Sequence, residues 1–118
     1  MAVIIETTDP EGLLKIIRDD IKNGKHSTWE IYSHENVEYF TQAAGPNKKK
    51  AYLKPVVASN ENRLKLAFYG AGKPLKRHVY SEFHAKFIQL ILDNYDSRFK
   101  WASAGSKAIS IDKFTLEN

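Results

Sequence analysis

Three consecutive lysines, Lys48, Lys49 and Lys50, follow a Gly-Pro turn in the stretch GPNKKKAYLKP. Lysine ammonium groups attract carboxylates and phosphates, and three in a row are costly to bury. We therefore expect an exposed loop here. Such a loop either contacts an anionic partner or only closes a hairpin.

The lysine triplet lies in a strongly basic middle part of the chain. Nine Lys and Arg residues stand between Gly45 and Tyr80 against a single acid, Glu61. The whole chain carries a net charge of +4 at pH 7, so the remaining residues are acidic on balance. A charge distribution of this kind can steer an anionic partner toward one side of a protein.

Aromatic residues are interleaved with these basic residues. Tyr39-Phe40 and Phe68-Tyr69 are adjacent pairs in predicted strands, so one member of each pair must point away from the core. The surface expected to bind a partner consists of eight residues: Lys48, Lys49, Lys50, Tyr52, Lys54, Lys65, Lys76 and Arg77.

Two classes of partner fit such a surface. We favour an acidic protein, as an adaptor, inhibitor or immunity-like protein would bind. The alternative is a nucleic acid bound with little sequence specificity, because aromatic rings stack on bases and lysines hold phosphates. Lysine outnumbers arginine by fourteen to four, which argues against bidentate reading of base edges.

Catalytic, metal and cofactor chemistry is weakly represented. His78 and His84 fall six residues apart on a predicted helix, about 240° around its axis, so they cannot chelate one ion together. The stretch YGAGKP has too short a glycine spacing for a phosphate loop, and proline replaces the required hydroxyl residue. Asp19 and Asp20 point about 100° apart on a helix. We predict neither an enzyme nor a bound metal or cofactor.

Composition sets expectations for location. The chain has no cysteine and no apolar run near the roughly 18 residues of a membrane span, and its first residues carry no basic segment typical of a secretion signal. We expect a cytoplasmic protein without membrane contact. The oligomeric state stays open, with a dimer as one possibility.

Two helices are predicted. Asp9 suits the N-cap position and Pro10 the first helical position, while Leu13, Ile17 and Gly24 mark an apolar face and a helix end, so helix one should span 10–23. A longer helix should span 74–99. Its apolar positions recur every four residues: Val79, Phe83, Phe87 and Ile91.

Five strands are predicted from short β-branched and aromatic runs: 2–6, 27–32, 36–44, 51–59 and 63–70. The order β-α-β-β-β-β-α and the short connections favour a two-layer α+β sandwich. Its antiparallel meander of four to five strands should carry both helices on one face. We assign 1–104 to a single domain and 105–118 to a loosely held tail. The stretch ASAGSKAISIDKFTLEN, residues 102–118, should either be loosely held or add one short strand.

Overall fold

The computed structural model describes residues 2–105, 107 and 109–114. This part of the chain forms six strands and two α-helices. Their bounds are β1 Val3–Glu6, α1 Pro10–Lys22, β2 Trp29–His34, β3 Val37–Gln42, β4 Ala51–Ala58, β5 Arg63–Gly70, α2 Arg77–Tyr95 and β6 Trp101–Ala104. Short 3-10 turns follow β4 and α2 at Ser59–Glu61 and Asp96–Arg98.

The six strands form one antiparallel sheet in the order β2-β3-β4-β5-β1-β6. The predicted α+β sandwich and the meander β2 to β5 are confirmed. The sheet has one more strand than the four to five predicted, because Trp101–Ala104 pairs with Glu6–Val3 of β1. The N-terminal strand thereby becomes an interior strand of the sheet.

Helix α1 has the predicted boundaries to within one residue. The Asp9 carboxylate accepts a 3.0 Å hydrogen bond from the Gly12 amide, which caps the first turn. Gly24 follows the helix with a φ of +78°, a left-handed conformation that glycine adopts without strain. The buried face carries Leu13, Ile17 and Ile21.

Helix α2 is shorter than the predicted span 74–99. The backbone stays extended at Lys76, with φ −73° and ψ 146°, so the helix begins at Arg77 rather than at Pro74. Leu75, two residues before the helix, is buried in the core cluster. At the other end, the chain turns through a 3-10 segment and is extended again at Phe99.

Both helices cover the same face of the sheet. Their buried side chains join one core cluster with the inward-facing residues of the strands. Phe87 illustrates this packing, because its ring lies 5.8 Å from Phe40 of β3 and 5.5 Å from Trp29 of β2. Val79, Phe83, Phe87 and Ile91 are at most 2% exposed, as their spacing predicts.

The two sides of the sheet therefore differ. Phe40, Leu53, Leu66 and Phe68 point into the core and are at most 1% exposed. The alternate residues of the same strands point to the opposite face, which no helix of the described ranges covers. No helix in those ranges is long and apolar enough to span a bilayer.

Residues 109–114, part of the segment predicted to be a loosely held tail, lie against β5. The Lys113 amide donates to the Phe68 carbonyl at 2.9 Å, and the Gly70 amide donates to the Lys113 carbonyl at 2.8 Å. The Phe114 ring lies 4.9 Å from that of Phe68. Positions 106, 108 and 115–118 of the predicted tail lie outside the described residues.

Candidate binding surface on the open sheet face

Four tyrosines meet on the open face of the sheet, one from each of β2, β3, β4 and β5. Ring centroids of Tyr32 and Tyr52 lie 4.8 Å apart, and those of Tyr39 and Tyr69 lie 5.5 Å apart. We call this group, Tyr32, Tyr39, Tyr52 and Tyr69, the tyrosine cluster. The expected division of Tyr39-Phe40 and Phe68-Tyr69 between the two faces is confirmed, since both phenylalanines lie in the core.

The tyrosine cluster lines a shallow cleft of about 300 Å³ together with His34, Gly70 and Ala71. Tyr32 is 40% exposed and is the most accessible of the four rings. Burial raises the pKa of the Tyr52 hydroxyl, so this group stays neutral and able to donate a hydrogen bond. Lys54 Nζ lies 5.7 Å above the Tyr69 ring, which places a cation on the edge of the cluster.

A second, strongly basic cleft opens between the 45–50 loop and the start of α2. Its volume is about 730 Å³. We call it the lysine cleft, and its lining residues are Lys49, Lys50, Ala71, Lys73, Pro74, Leu75, Lys76, His78 and Val79. The lining contains four lysines and no carboxylate. Ala71 lines both clefts, so the lysine cleft and the tyrosine cluster are direct neighbours.

The 45–50 loop is fixed to α2 by a buried side chain. Asn47 is 1% exposed, and its amide donates a hydrogen bond to the Glu82 carboxylate. The Lys49 amide also donates to the carbonyl of Gln42, the last residue of β3, at 3.1 Å. The lysines that follow Asn47 therefore project from a braced loop, beside the first turns of α2.

Among the described residues, most lysines of the lysine cleft are not paired with a carboxylate. Lys49 Nζ lies 3.5 Å from Glu30 Oε1 at the edge of the open face. Within the described ranges, Lys50, Lys73 and Lys76 form no salt bridge with a carboxylate. Unpaired ammonium groups that share a concave surface raise its positive potential, which favours an anionic ligand.

The structure distributes the predicted binding residues over several places. Lys49, Lys50 and Lys76 line the lysine cleft, while Tyr52 and Lys54 lie on the open face beside it. Lys48 and Arg77 are exposed but do not line the cleft.

Lys65 lies further along the same face. It is placed opposite Val56 in the strand pairing, and its ammonium group lies 3.3 Å from Glu61 Oε2. The carboxylate offsets the charge that Lys65 would bring to the surface.

Sequence reasoning did not assign Lys73, His78 and Tyr32 to a site. Their proximity to the lysine triplet depends on the conformations of the 45–50 loop and of the segment before α2. No spacing of residues in the sequence predicts these conformations. The only sequence signal is compositional, since Lys73 and His78 flank the predicted start of α2 in the basic part of the chain.

The described residues contain no group of three or more His, Asp and Glu side chains that could hold a metal ion. His84 is 2% exposed, and its Nδ1 lies 2.8 Å from the Tyr80 carbonyl oxygen, a contact within helix α2. This imidazole is part of the core packing rather than of either cleft.

Comparison with known proteins gives no further constraint on the site. No protein-family model matches the chain, and searches of curated proteins and of solved structures return no significant match.

Proposed function

We propose that the protein is a non-enzymatic binding domain, of the small regulatory, adaptor or immunity-like kind, that contacts an acidic protein. The observation that carries the proposal is the direct contact between the lysine cleft and the tyrosine cluster through Ala71. Together the two clefts offer one end for carboxylates and another for apolar and hydrogen-bonding side chains.

Tyrosines are well suited to anchor a protein partner. Each ring supplies a large contact area with few rotatable bonds, and its hydroxyl can hydrogen-bond at the rim. The neighbouring strands hold the four rings against one another, so little conformational entropy is lost on binding. The lysines would then orient the partner and accelerate encounter at low salt.

The ring geometry favours a protein over a single-stranded nucleic acid. Neighbouring rings of the cluster are inclined by 36° to 70° and cover part of one another. Bases need exposed ring faces to stack on, and only Tyr32 is strongly exposed. The unpaired lysines support the nucleic-acid alternative, which makes phosphate binding the second outcome to test.

The decisive experiment compares two charge-reversal variants of equal net charge. Lys50→Glu with Lys76→Glu alters the lysine cleft, whereas Lys15→Glu with Lys100→Glu alters exposed lysines outside both clefts. Partners captured from cells by the parent protein are identified, purified and titrated against both variants at two salt concentrations. We expect the cleft variant to weaken binding by more than roughly tenfold and the control to leave it unchanged.

Nucleic-acid binding is measured in parallel with a mixed-sequence oligonucleotide over a series of salt concentrations. Phosphate binding gives a linear fall of log affinity with log salt. The nucleic-acid alternative would replace the proposal under two conditions. The slope of log affinity against log salt would be steep for the parent protein and smaller for the cleft variant, and no protein partner would bind the cleft variant more weakly than the parent. Equal behaviour of cleft variant and control toward every partner would refute both.

A further inference from the structure

Strand β2 is an edge strand of the sheet, and the pattern of its backbone hydrogen bonds follows from two contacts. The Ala43 amide donates to the Thr28 carbonyl at 2.8 Å, and Glu35 and Asn36 form a two-residue turn with φ values of 51° and 65°. In antiparallel pairs, residues that bond to the neighbouring strand alternate with residues that do not.

The alternation assigns a direction to every backbone group of β2. Glu30, Tyr32 and His34 exchange their hydrogen bonds with β3, so Ile31 and Ser33 direct their amides and carbonyls away from the sheet. Within the described part of the chain, no backbone or side-chain group bonds to these outward amides and carbonyls. Ile31 and Ser33 therefore supply two donors and two acceptors along this edge.

This edge lacks most of the features that usually protect an edge strand, and its one carboxylate, Glu30, pairs with Lys49 of the same copy. Natural sheets shield their edges with lysine, proline, bulges or very short strands. The β2 segment WEIYSH has six residues, no lysine and no proline, and it pairs with β3 without a bulge. The opposite edge, β6, has only four residues.

We propose that β2 pairs with β2 of a second copy of this chain, antiparallel and edge to edge, around a two-fold axis beside Tyr32. The proposal rests on the backbone pattern of β2 and not on the proposed function, although the axis lies beside Tyr32 of the tyrosine cluster. The two sheets would continue into each other, with the helices of both copies on one side.

Side-chain complementarity selects the register. The outward groups permit Ile31 opposite Ile31 or Ile31 opposite Ser33 in the two copies. The first register places Glu30 opposite Tyr32. The second places Tyr32 opposite its own copy and the Glu30 carboxylate opposite the His34 imidazole, twice by symmetry. Aromatic and polar cross-strand pairs of this kind stabilise sheets, so we infer the second register.

The first test measures mass in solution by sedimentation from micromolar to near-millimolar concentration. Because edge pairing buries less surface than a standard interface, we expect a reversible dimer with a micromolar dissociation constant. Ser33→Pro removes an outward amide and adds ring atoms at the edge, whereas Ser33→Ala retains that amide. The proline variant should be monomeric, and the alanine variant should dimerise like the parent.

Cysteine cross-linking tests the register without disturbing the backbone. The chain contains no cysteine, so a single introduced thiol can pair only with its copy. Tyr32→Cys places two thiols directly opposite each other across the axis, within disulfide range. His34→Cys places them several residues apart. We expect mild oxidation to cross-link the first variant and not the second.

Each contrary result has a defined meaning. A monomeric parent protein at the highest concentration overturns the proposal. So does a dimer that survives Ser33→Pro in a folded variant, or one in which Tyr32→Cys fails to cross-link, because the dimer would then use another surface. Cross-linking through Ile31→Cys instead of Tyr32→Cys would overturn the register. If Ser33→Pro fails to fold, the cross-linking pair decides alone.

Discussion

Tyr95, in the last turn of α2, donates a 2.6 Å hydrogen bond to the Asp20 carboxylate near the end of α1. The Tyr95 oxygen also lies 2.8 Å from His26 Nε2 in the loop after α1, so the imidazole donates to it. Burial and the bond to Asp20 raise the pKa of Tyr95, which keeps the hydroxyl protonated. These two hydrogen bonds of Tyr95 connect the C-terminal ends of the two helices, away from the tyrosine cluster.

Replacing Tyr95 by Phe should destabilise the fold. The change removes the hydroxyl that bonds to both the Asp20 carboxylate and the His26 imidazole, in partly buried surroundings. Each lost hydrogen bond costs about 1 kcal/mol of stability. We expect the free energy of unfolding in urea to fall by about 1–3 kcal/mol. Tyr39→Phe serves as the control. An equal loss of stability in both variants would contradict a stabilising role of the Tyr95 hydrogen bonds.

Stability should decrease in mild acid because of His26. Burial is the main reason that the pKa of His26 lies below its ordinary value of 6.5. The unfolded chain then binds the proton more readily than the folded one. The stability that neutral His26 contributes is therefore present above pH 6.5 and decreases as the pH falls below it.

Urea unfolding as a function of pH checks this prediction. As the pH falls below 6.5, the free energy of unfolding should decrease more steeply for the parent protein than for His26→Gln. The control, His34→Gln at an exposed histidine, should follow the parent. The depressed pKa values of Asp19 and Glu82 act in the same direction, but at a lower pH. Identical profiles for the parent and His26→Gln would show that His26 does not carry the effect.

Phe87→Ala should be strongly destabilising. Phe87 is 0% exposed and its ring contacts Trp29 and Phe40. A cavity of this kind costs about 3–5 kcal/mol. Leu92 on the same helix is 53% exposed, so Leu92→Ala is a matched control with an effect below roughly 1 kcal/mol. Thermal melts that coincide for the parent and Phe87→Ala would show that this face of α2 is not core.

Changing Lys48, Lys49 and Lys50 to Glu should leave the fold intact while altering binding. All three side chains are exposed, and surface charge changes shift stability by less than roughly 0.5 kcal/mol each. Binding of an anionic partner should weaken and become less salt-dependent. Circular dichroism measures the first effect and titration at several salt concentrations the second. Unchanged binding would leave the triplet as a charged hairpin cap.

Local patterns were sufficient for helix α1, for the buried face of α2 and for the meander, but not for the ends of α2. The Asp9-Pro10 cap and the four-residue spacing of Val79, Phe83 and Phe87 have direct physical causes that act within a few residues. The alternation of side chains along a strand likewise predicted that Tyr39 and Phe40 point to opposite faces of the sheet.

The sixth strand, whose bounds and partner were not predicted, and the lysine cleft depend on distant contacts. Apart from Trp101, the strand Trp101–Ala104 has only small side chains and no apolar alternation, and it is a strand because its backbone pairs with β1. The 45–50 loop beside the lysine cleft is bonded to α2 through Asn47 and Glu82, which are 35 residues apart in the chain. Neither contact leaves a periodic signal.

The interior position of β1 has a consequence for the order in which the chain folds. Val3 pairs with Leu66 on one side and with Ala104 on the other, so β1 completes its pairing only after residues 63–66 and 101–104 have been synthesised. Closing such long loops is slow. The hairpins of β2 to β5 can form earlier, and until residue 104 has emerged, the nascent protein carries an incomplete sheet that chaperones can bind.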